Sequence, residues 1–352
     1  MLAALYILGL VLTVWFDGLA TAPAGELALP AVWMPAGVLL GTALVSNLRK
    51  VVVWGPLALV ALAVSSVMQD LPLLPAAVLA AIATATAIGA AYLVHHRIGR
   101  RFYLGRFNDA LTFVIASLAA AVAAAVLSIP VAGVAGARGV FLADATGLLM
   151  TAPVAAGLIS ERRWWRDAFR SGWRVIEVVV VIGAAVATTE AVFGERIAPF
   201  LRVPAFILPF MLWPSFRFGP SASALGVFLI CADALQNVSE LRGPYMSDLS
   251  TVDEALLRGQ GSIVMLTISF TILASIVAER REALEEVRTL RGLIPICAWC
   301  HKVRDEAEVW QRLETYLDAN TDATFSHSIC PSCAATKHAA GDQAGSSHPW
   351  KI

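Results

Sequence analysis

The feature that most limits the fold of this sequence is a series of long apolar windows, several of which contain no charged residue. Of all residues 58% are hydrophobic and only 15% are charged, whereas a typical soluble domain is about 25% charged. The charges collect between the windows and near the C-terminal end. This pattern is typical of a polytopic membrane protein built from helices.

Ten windows are candidates for transmembrane helices. They cover residues 2–21, 29–47, 51–69, 73–95, 110–133, 139–159, 175–193, 203–214, 219–238 and 260–278. The eighth window is shorter than the roughly 20 residues that a bilayer requires. It also contains Pro204, Pro209 and Pro214, which predict a kinked or partly re-entrant segment. The fold expected is therefore an all-α polytopic membrane protein of about ten transmembrane helices, followed by a small soluble module.

The distribution of arginine and lysine between alternate loops predicts the orientation. The strongly basic loops all fall in one set, which includes Arg49 and Lys50, the arginines of 97–106 and those of 162–174. The positive-inside rule places this set in the cytoplasm. We therefore expect a multi-pass protein of the bacterial inner membrane with both termini cytoplasmic. The apolar windows predict membrane lipid as a partner. Because the formal net charge is zero, we expect no nucleic-acid partner.

A juxtamembrane helix is expected over residues 279–292, where Leu284, Val287 and Leu290 recur at helical spacing. The short heptad pattern leaves two interpretations open, a solvated helix and a dimeric coiled coil that would make the chain a homodimer. A soluble module follows at 293–337, with a helix expected over 305–320 and Asp305 as its N-cap. The last segment, 338–352, is rich in Gly and Ser and is expected to be disordered.

Two Cys-x-x-Cys pairs in this module indicate a metal site. Each pair can place two sulfurs on one ion, and the ligand set Cys297, Cys300, Cys330 and Cys333 completes a tetrahedral shell typical of Zn²⁺. Because a module of this size buries little apolar surface, a structural Zn²⁺ would decide whether it folds. A thiol redox pair and an iron–sulfur cluster remain alternatives, and His301 and His327 are possible substitute ligands.

Carboxylates inside the apolar windows are candidates for a sensing site, because ionisable groups in a bilayer usually face the interior of the bundle. Asp144 is the strongest, since apolar and small residues surround it in "FLADATGLLM". Asp17, Glu190 and Asp233 are predicted to lie at a similar depth and to form an outward-facing polar pocket. Trp33 is a further candidate for ligand contact, although an interfacial anchor is the simpler interpretation. Structural salt bridges and helix caps would explain the same carboxylates.

Three segments resemble the first type of the membrane-associated sensor family, an integral membrane domain of bacterial signalling proteins. They are "WMPAGVLLGTALV", "FLADATGLLMTAPVAAGL" and "ILPFMLWPSFRFGPSASALGVFL". The resemblance implies that residues 1–278 form an integral membrane sensor domain. The tail, from "LIPICAWC" to "FSHSICPSC", resembles a cysteine-rich module found in some bacterial response regulators and sensor proteins. Together these resemblances imply a role in signal transduction.

The expected function is that of a sensory receptor without its own catalytic output domain. We find no kinase, cyclase or phosphodiesterase motif and name no catalytic residue, so the chain is not expected to be an enzyme. The receptor would relay a membrane or periplasmic stimulus to a cytoplasmic signalling protein through the zinc module. One alternative is an ion- or proton-coupled transporter or channel with a regulatory zinc cap. Another is a cytoplasmic zinc or redox sensor anchored in the membrane.

Overall fold

The computed structural model describes part of the chain. The described residues are 21–24, 27–30, 32–46, 55–57, 59–61, 63–64, 67, 72–99, 101–162, 165–166, 170, 172–193, 204–239, 242, 252–291, 295–305, 308–320 and 328–332. They divide into two compact units, Met1–Ala283 and Leu284–Ile352. The predicted first window and Asp17 lie outside the described residues, as does most of the third window.

The first unit is mostly helical. A hairpin of two antiparallel strands, β1 (Thr21–Ala24) and β2 (Leu27–Pro30), comes first. The helices that follow are α1 (Met34–Val45), α2 (Leu73–Ile98), α3 (Phe107–Ser160), α4 (Gly172–Phe193), α5 (Leu208–Arg217), α6 (Pro220–Ser239) and α7 (Val252–Arg291). A 3₁₀ turn, Pro204–Ile207, precedes α5.

Five helices in the described residues are long and apolar enough to cross a membrane, namely α2, α3, α4, α6 and α7. The structure thus supports a multi-pass membrane protein, while the predicted count of ten spans goes beyond what the described residues show. Helix α3 has 54 residues and would be about 80 Å long if straight. Its backbone breaks at Gly133, where φ is +69°, so it consists of two legs. These legs correspond to the predicted fifth and sixth windows.

The second window differs from its prediction, whereas the eighth agrees with it. The second was expected to be helical over 29–47, but its start belongs to strand β2 and its helix has only 12 residues. Pro30 and Pro35 explain the change, because proline removes a backbone donor and is tolerated in the first turn of a helix but not in its interior. The eighth window forms the 3₁₀ turn and the ten-residue helix α5, in agreement with its prolines.

Alanine and glycine control how the core is packed. Helix α2 buries a stripe of alanines at spacings of three and four residues, and helix α3 presents a similar stripe on its first leg. Small side chains let helix backbones approach closely, which drives helix association in a bilayer. Short helix α1 is buried along almost its whole length and packs on both α2 and α3. It is therefore a central element rather than a peripheral one.

The second unit contains the end of α7 and a small module. In this module β3 (Val303–Arg304) pairs with β4 (Trp310–Gln311), and helix α8 (Leu313–Asn320) follows. The helix expected over 305–320 is therefore wrong in its first half. Asp305 accepts a hydrogen bond from the Val309 N–H at 2.9 Å, so its carboxylate closes the β3–β4 turn instead of capping a helix.

Candidate functional site

The closest helix crossing in the described residues lies between α1 and the second leg of α3. A Cβ atom added to Gly37 would lie 2.1 Å from the carbonyl oxygen of Gly147, and one added to Gly41 would lie 2.3 Å from that of Ala152. Thr151 fastens the crossing, because its hydroxyl donates to the Gly147 carbonyl at 2.6 Å and approaches that of Met34 at 3.2 Å. The two backbones are therefore in direct contact, which positions every side chain around them.

Trp33 and Asp144 lie at one edge of this crossing. The Trp33 N–H donates to the carbonyl of Ala143 at 3.1 Å, and the Trp33 carbonyl packs against Gly147. Trp33 is 1% exposed and Asp144 is 0% exposed. Trp33 therefore packs inside the helix bundle, while its depth in the membrane stays a prediction. The Trp33 backbone contacts Ala143 and Gly147, which lie on either side of Asp144 in the sequence.

The Asp144 carboxylate has no hydrogen-bond partner on either oxygen in the part of the chain that the structure describes. Other buried polar atoms around the same core also have none, namely Trp33 Nε1, Thr84 Oγ1, Ser117 Oγ and Thr146 Oγ1. Their sequence neighbours Ala83, Ala116, Ala143 and Ala145 all belong to one continuous hydrophobic cluster. We call Asp144 and these four groups the orphan polar set. Buried polar groups without partners are rare and point to a ligand, ion or water.

Two other predicted carboxylates are Glu190 on α4 and Asp233 on α6. Their neighbours, such as Val192 and Ala232, belong to a second hydrophobic cluster, while those of Asp144 belong to the first. Near the second cluster lies an apolar pocket formed by α4, α5, α6 and α7. The outward-facing pocket expected from the sequence stays a prediction, because Asp17 lies outside the described residues.

A contact that sequence reasoning missed connects α7 to α3. The Phe107 N–H at the first turn of α3 donates to Glu279 Oε2 at 3.0 Å. A carboxylate at a helix N-terminus satisfies an orphan donor and complements the helix dipole. Tyr103 lies close by, where burial and then the charges of Glu161 and Glu282 raise its pKa. The sequence shows that Glu279 follows the last apolar window. It gives no sign of the contact with Phe107, because the two residues are far apart in the chain.

The opposite ends of α4 and α5 are also joined. Arg217 Nε donates to Glu177 Oε1 at 2.9 Å, and a second nitrogen reaches Oε2 at 3.4 Å. Arg217 begins the "RFGP" turn, where Gly219 has a φ of +91°. Beyond this turn Ser223 shares a 2.6 Å hydrogen bond with Ser215. A fork-shaped ion pair therefore holds this turn against α4.

The first cysteine pair forms a tight turn closed by backbone hydrogen bonds. Cys297 N–H donates to the Lys302 carbonyl at 2.9 Å, and His301 N–H donates to the Cys297 carbonyl at 3.0 Å. The Cys300 N–H also points to Cys297 Sγ at 3.5 Å. The amides of Cys300 and Trp299 lower the pKa of the Cys297 thiol. A thiol that is readily ionised suits a metal ligand or a redox centre.

The second cysteine pair is only partly described. Cys330 is exposed, and its sulfur lies 3.1 Å from Ser332 Oγ, whereas Cys333 and His327 lie outside the described residues. Among the residues that the structure describes, no group of three or more His, Cys, Asp or Glu side chains is arranged to hold a metal ion. The turn at Cys297 fits a thiolate ligand, and the four-sulfur shell stays a prediction because Cys333 lies outside the described residues.

Similarity to known proteins is confined to the membrane unit. Residues 1–281 match the family MASE1, and this range covers helices α1 to α6 and α7 up to the start of its projecting end. The chain belongs to the MASE1 family. MASE1 is a membrane sensory domain, so the sensor expected from the resemblance is confirmed at this level. The match ends before the cysteine turn, so it does not extend to the tail module. No curated protein and no solved structure matches the chain.

Proposed function

We propose that this MASE1 protein is a bacterial inner-membrane receptor that relays a stimulus from its membrane core to a cytoplasmic signalling protein. In this proposal the chain crosses the membrane about ten times, with both termini in the cytoplasm, and catalyses no reaction itself. The basic loops support that orientation. In this proposal Asp144 and the rest of the orphan polar set respond to the stimulus. The cysteine module at 293–337 passes the response to the partner protein.

The observation that carries the proposal is the continuity of α7. This helix has 40 residues and is about 60 Å long, twice the roughly 30 Å of a bilayer core. Its apolar half packs on the membrane core through Val264 and Phe270. Its polar end, from Glu279 onward, runs without interruption to Arg291, shortly before the first cysteine pair. In this proposal a shift in the core is passed along α7 towards the cysteine module.

Structural Zn²⁺ is part of the proposal. Cys297, Cys300, Cys330 and Cys333 would hold the ion as thiolates, and the amide groups around Cys297 already favour ionisation of that sulfur. A bound Zn²⁺ would fix the two cysteine turns to one another and contribute roughly 10–16 kcal/mol of apparent binding energy. The module exposes Trp299, which is 92% accessible, next to Cys300. Such a large exposed aromatic side chain is suited to a protein partner.

The test is crosslinking of the full-length protein in its native membrane, followed by mass spectrometry. Lys302 is exposed beside the first cysteine pair and supplies the reactive amine. We expect crosslinks from Lys302 to a cytoplasmic signalling protein, and their loss in Trp299→Ala. Crosslinks confined to a second copy of the chain would support a homodimer but contradict the relay to a partner. Lys302 that crosslinks to no protein would contradict both.

A second candidate function is a cytoplasmic redox sensor anchored in the membrane. The lowered pKa of Cys297 and the exposure of Cys300 favour it, because accessible thiols that ionise readily are the ones that oxidise. Titration with Zn²⁺ and then with oxidant separates the two candidates. A tail that keeps its Zn²⁺ under mild oxidant supports the relay, whereas release of Zn²⁺ with formation of a Cys297–Cys300 disulfide supports the redox sensor.

A further inference from the structure

The Asp144 carboxylate is completely buried in the membrane core but receives no hydrogen bond from the described residues. It is 0% exposed, and neither oxygen has a hydrogen-bond donor among the described residues. The Trp33 amide and the Gly37–Gly147 contact fix the backbone on both sides of it. The carboxylate therefore has no route to solvent by a simple change of rotamer, and its charge must be balanced where it lies.

The elements packed on α3 supply no positive charge at this position. These elements are β1, β2, α1, α2, α6 and α7. Described residues of β1, β2 and α1 include no ionisable side chain, and α6 carries only Asp233. The ionisable residues of the remaining elements lie near helix ends or near the Gly133 break. On α2 they are His95, His96 and Arg97, and on α3 they are Asp109 and Arg138. On α7 they are Asp253, Glu254, Arg258 and the segment from Glu279.

An isolated carboxylate in a low-dielectric interior is too costly to persist, so such a group binds a proton or lies beside a cation. One positive charge is enough to neutralise one carboxylate. A carboxylate oxygen suits a hard cation such as Na⁺. A divalent ion would leave one positive charge unbalanced.

We propose that Asp144 holds a monovalent cation, either a proton or Na⁺, within the membrane core of this protein. This inference rests on the proposed receptor function, because it names the class of ligand that the sensing site binds. In the proton form Asp144 is a neutral carboxylic acid. In the Na⁺ form its carboxylate holds the ion. Binding of either cation stabilises the closed crossing of α1 and α3.

Infrared spectroscopy of the full-length protein in lipid nanodiscs tests the proposal. Selective ¹³C labelling of aspartate shifts the carboxyl bands, and Asp144→Asn identifies the band that belongs to Asp144. The matched control is Asp318→Asn, which removes an exposed aspartate from α8. Thermal unfolding is measured in parallel in NaCl and in choline chloride of equal concentration. The comparison of the two salts uses wild-type protein, so this part of the test does not depend on folding of the variant.

Each outcome decides the proposal. A carboxylic-acid C=O band that Asp144→Asn removes and Na⁺ leaves unchanged assigns the proton. A saturable rise in melting temperature with Na⁺ but not choline, lost in Asp144→Asn and kept in Asp318→Asn, assigns Na⁺. An ionised Asp144 band together with melting temperatures that do not respond to Na⁺ overturns the proposal. That result would leave the receptor function intact, because the Lys302 crosslinks are measured independently.

Discussion

Glu279 and Phe107 are hydrogen-bonded at 3.0 Å although 172 residues separate them in the sequence. The carboxylate belongs to the last helix that enters the membrane domain, and the amide begins the helix that carries Asp144. This one contact therefore ties the projecting end of α7 to the element at the centre of the core. Helix α7 also packs on the core through apolar side chains such as Val264 and Phe270.

We expect Glu279→Gln to weaken this tie without unfolding the domain. A neutral amide complements the helix dipole less well than a carboxylate, so the loss should be about 1 kcal/mol or less at this exposed position. Unfolding in mixed detergent micelles measures it. Glu286→Gln is the matched control on the same helix, since Glu286 is exposed. Equal stability losses in the two variants would show that the contact with Phe107 contributes nothing specific.

The Gly37–Gly147 crossing should tolerate no extra methyl group. A Cβ at Gly37 would lie 1.9 Å from Thr151 Oγ1 and 2.1 Å from the Gly147 carbonyl, so Gly37→Ala forces the helices apart. Overpacking of this kind costs about 1–3 kcal/mol or more. Gly89→Ala on α2 is the control, because nothing lies within 4 Å of a Cβ placed there. At Gly89 we expect unchanged or slightly raised stability from helix propensity. Comparable losses at both positions would contradict the close crossing.

The break in α3 should depend on glycine for a different reason. Gly133 has φ +69° and ψ 175°, a region that side chains other than glycine avoid, and a Cβ added to it would meet nothing within 4 Å. Gly133→Ala should therefore cost about 1–3 kcal/mol through backbone strain alone. Circular dichroism and unfolding of the variant measure the cost. A variant as stable as the wild type would show that the two legs form one continuous helix.

The pH dependence of stability should include a contribution from Glu161. Burial raises the pKa of this carboxyl above its ordinary value of 4.5, so the native state holds the proton to higher pH than the unfolded chain does. This contribution is fully present below the ordinary value and is lost as pH rises through the raised value. Melting temperature measured from pH 4 upward should fall over this range, and Glu161→Gln should remove the fall. An identical profile in the variant would exclude Glu161 as the source.

The zinc proposal makes a stoichiometric prediction for the intact protein. Metal analysis after purification should give about one Zn²⁺ per chain, since four thiolates complete one tetrahedral site. Cys297→Ser should reduce this content, because it removes the sulfur toward which the Cys300 amide points. Cys231→Ala is the control, since Cys231 is buried on α6 in the membrane unit. Purified protein that contains no Zn²⁺ and does not take it up would contradict the structural role.

Much of the membrane architecture could be predicted because long apolar windows leave few alternatives to helices. The burial of Asp144 also followed from its apolar neighbours. The burial of Trp33 in the bundle did not, since a tryptophan near a window end suits either an interface or a core. The β3–β4 hairpin was missed because Asp305 can close a turn as readily as it caps a helix. The Glu279–Phe107 contact depends on tertiary packing and leaves no local pattern.

Hydrogen exchange measured by mass spectrometry in nanodiscs tests most directly whether the core is coupled to the tail. The comparison is wild-type protein against Asp144→Asn, with Asp318→Asn as the control. We predict that Asp144→Asn changes exchange both at the α1–α3 crossing and in α7 from Glu279 to Arg291, with a further change in the cysteine turn. A change confined to the residues around Asp144, with α7 and the tail identical to wild type, would contradict the coupling.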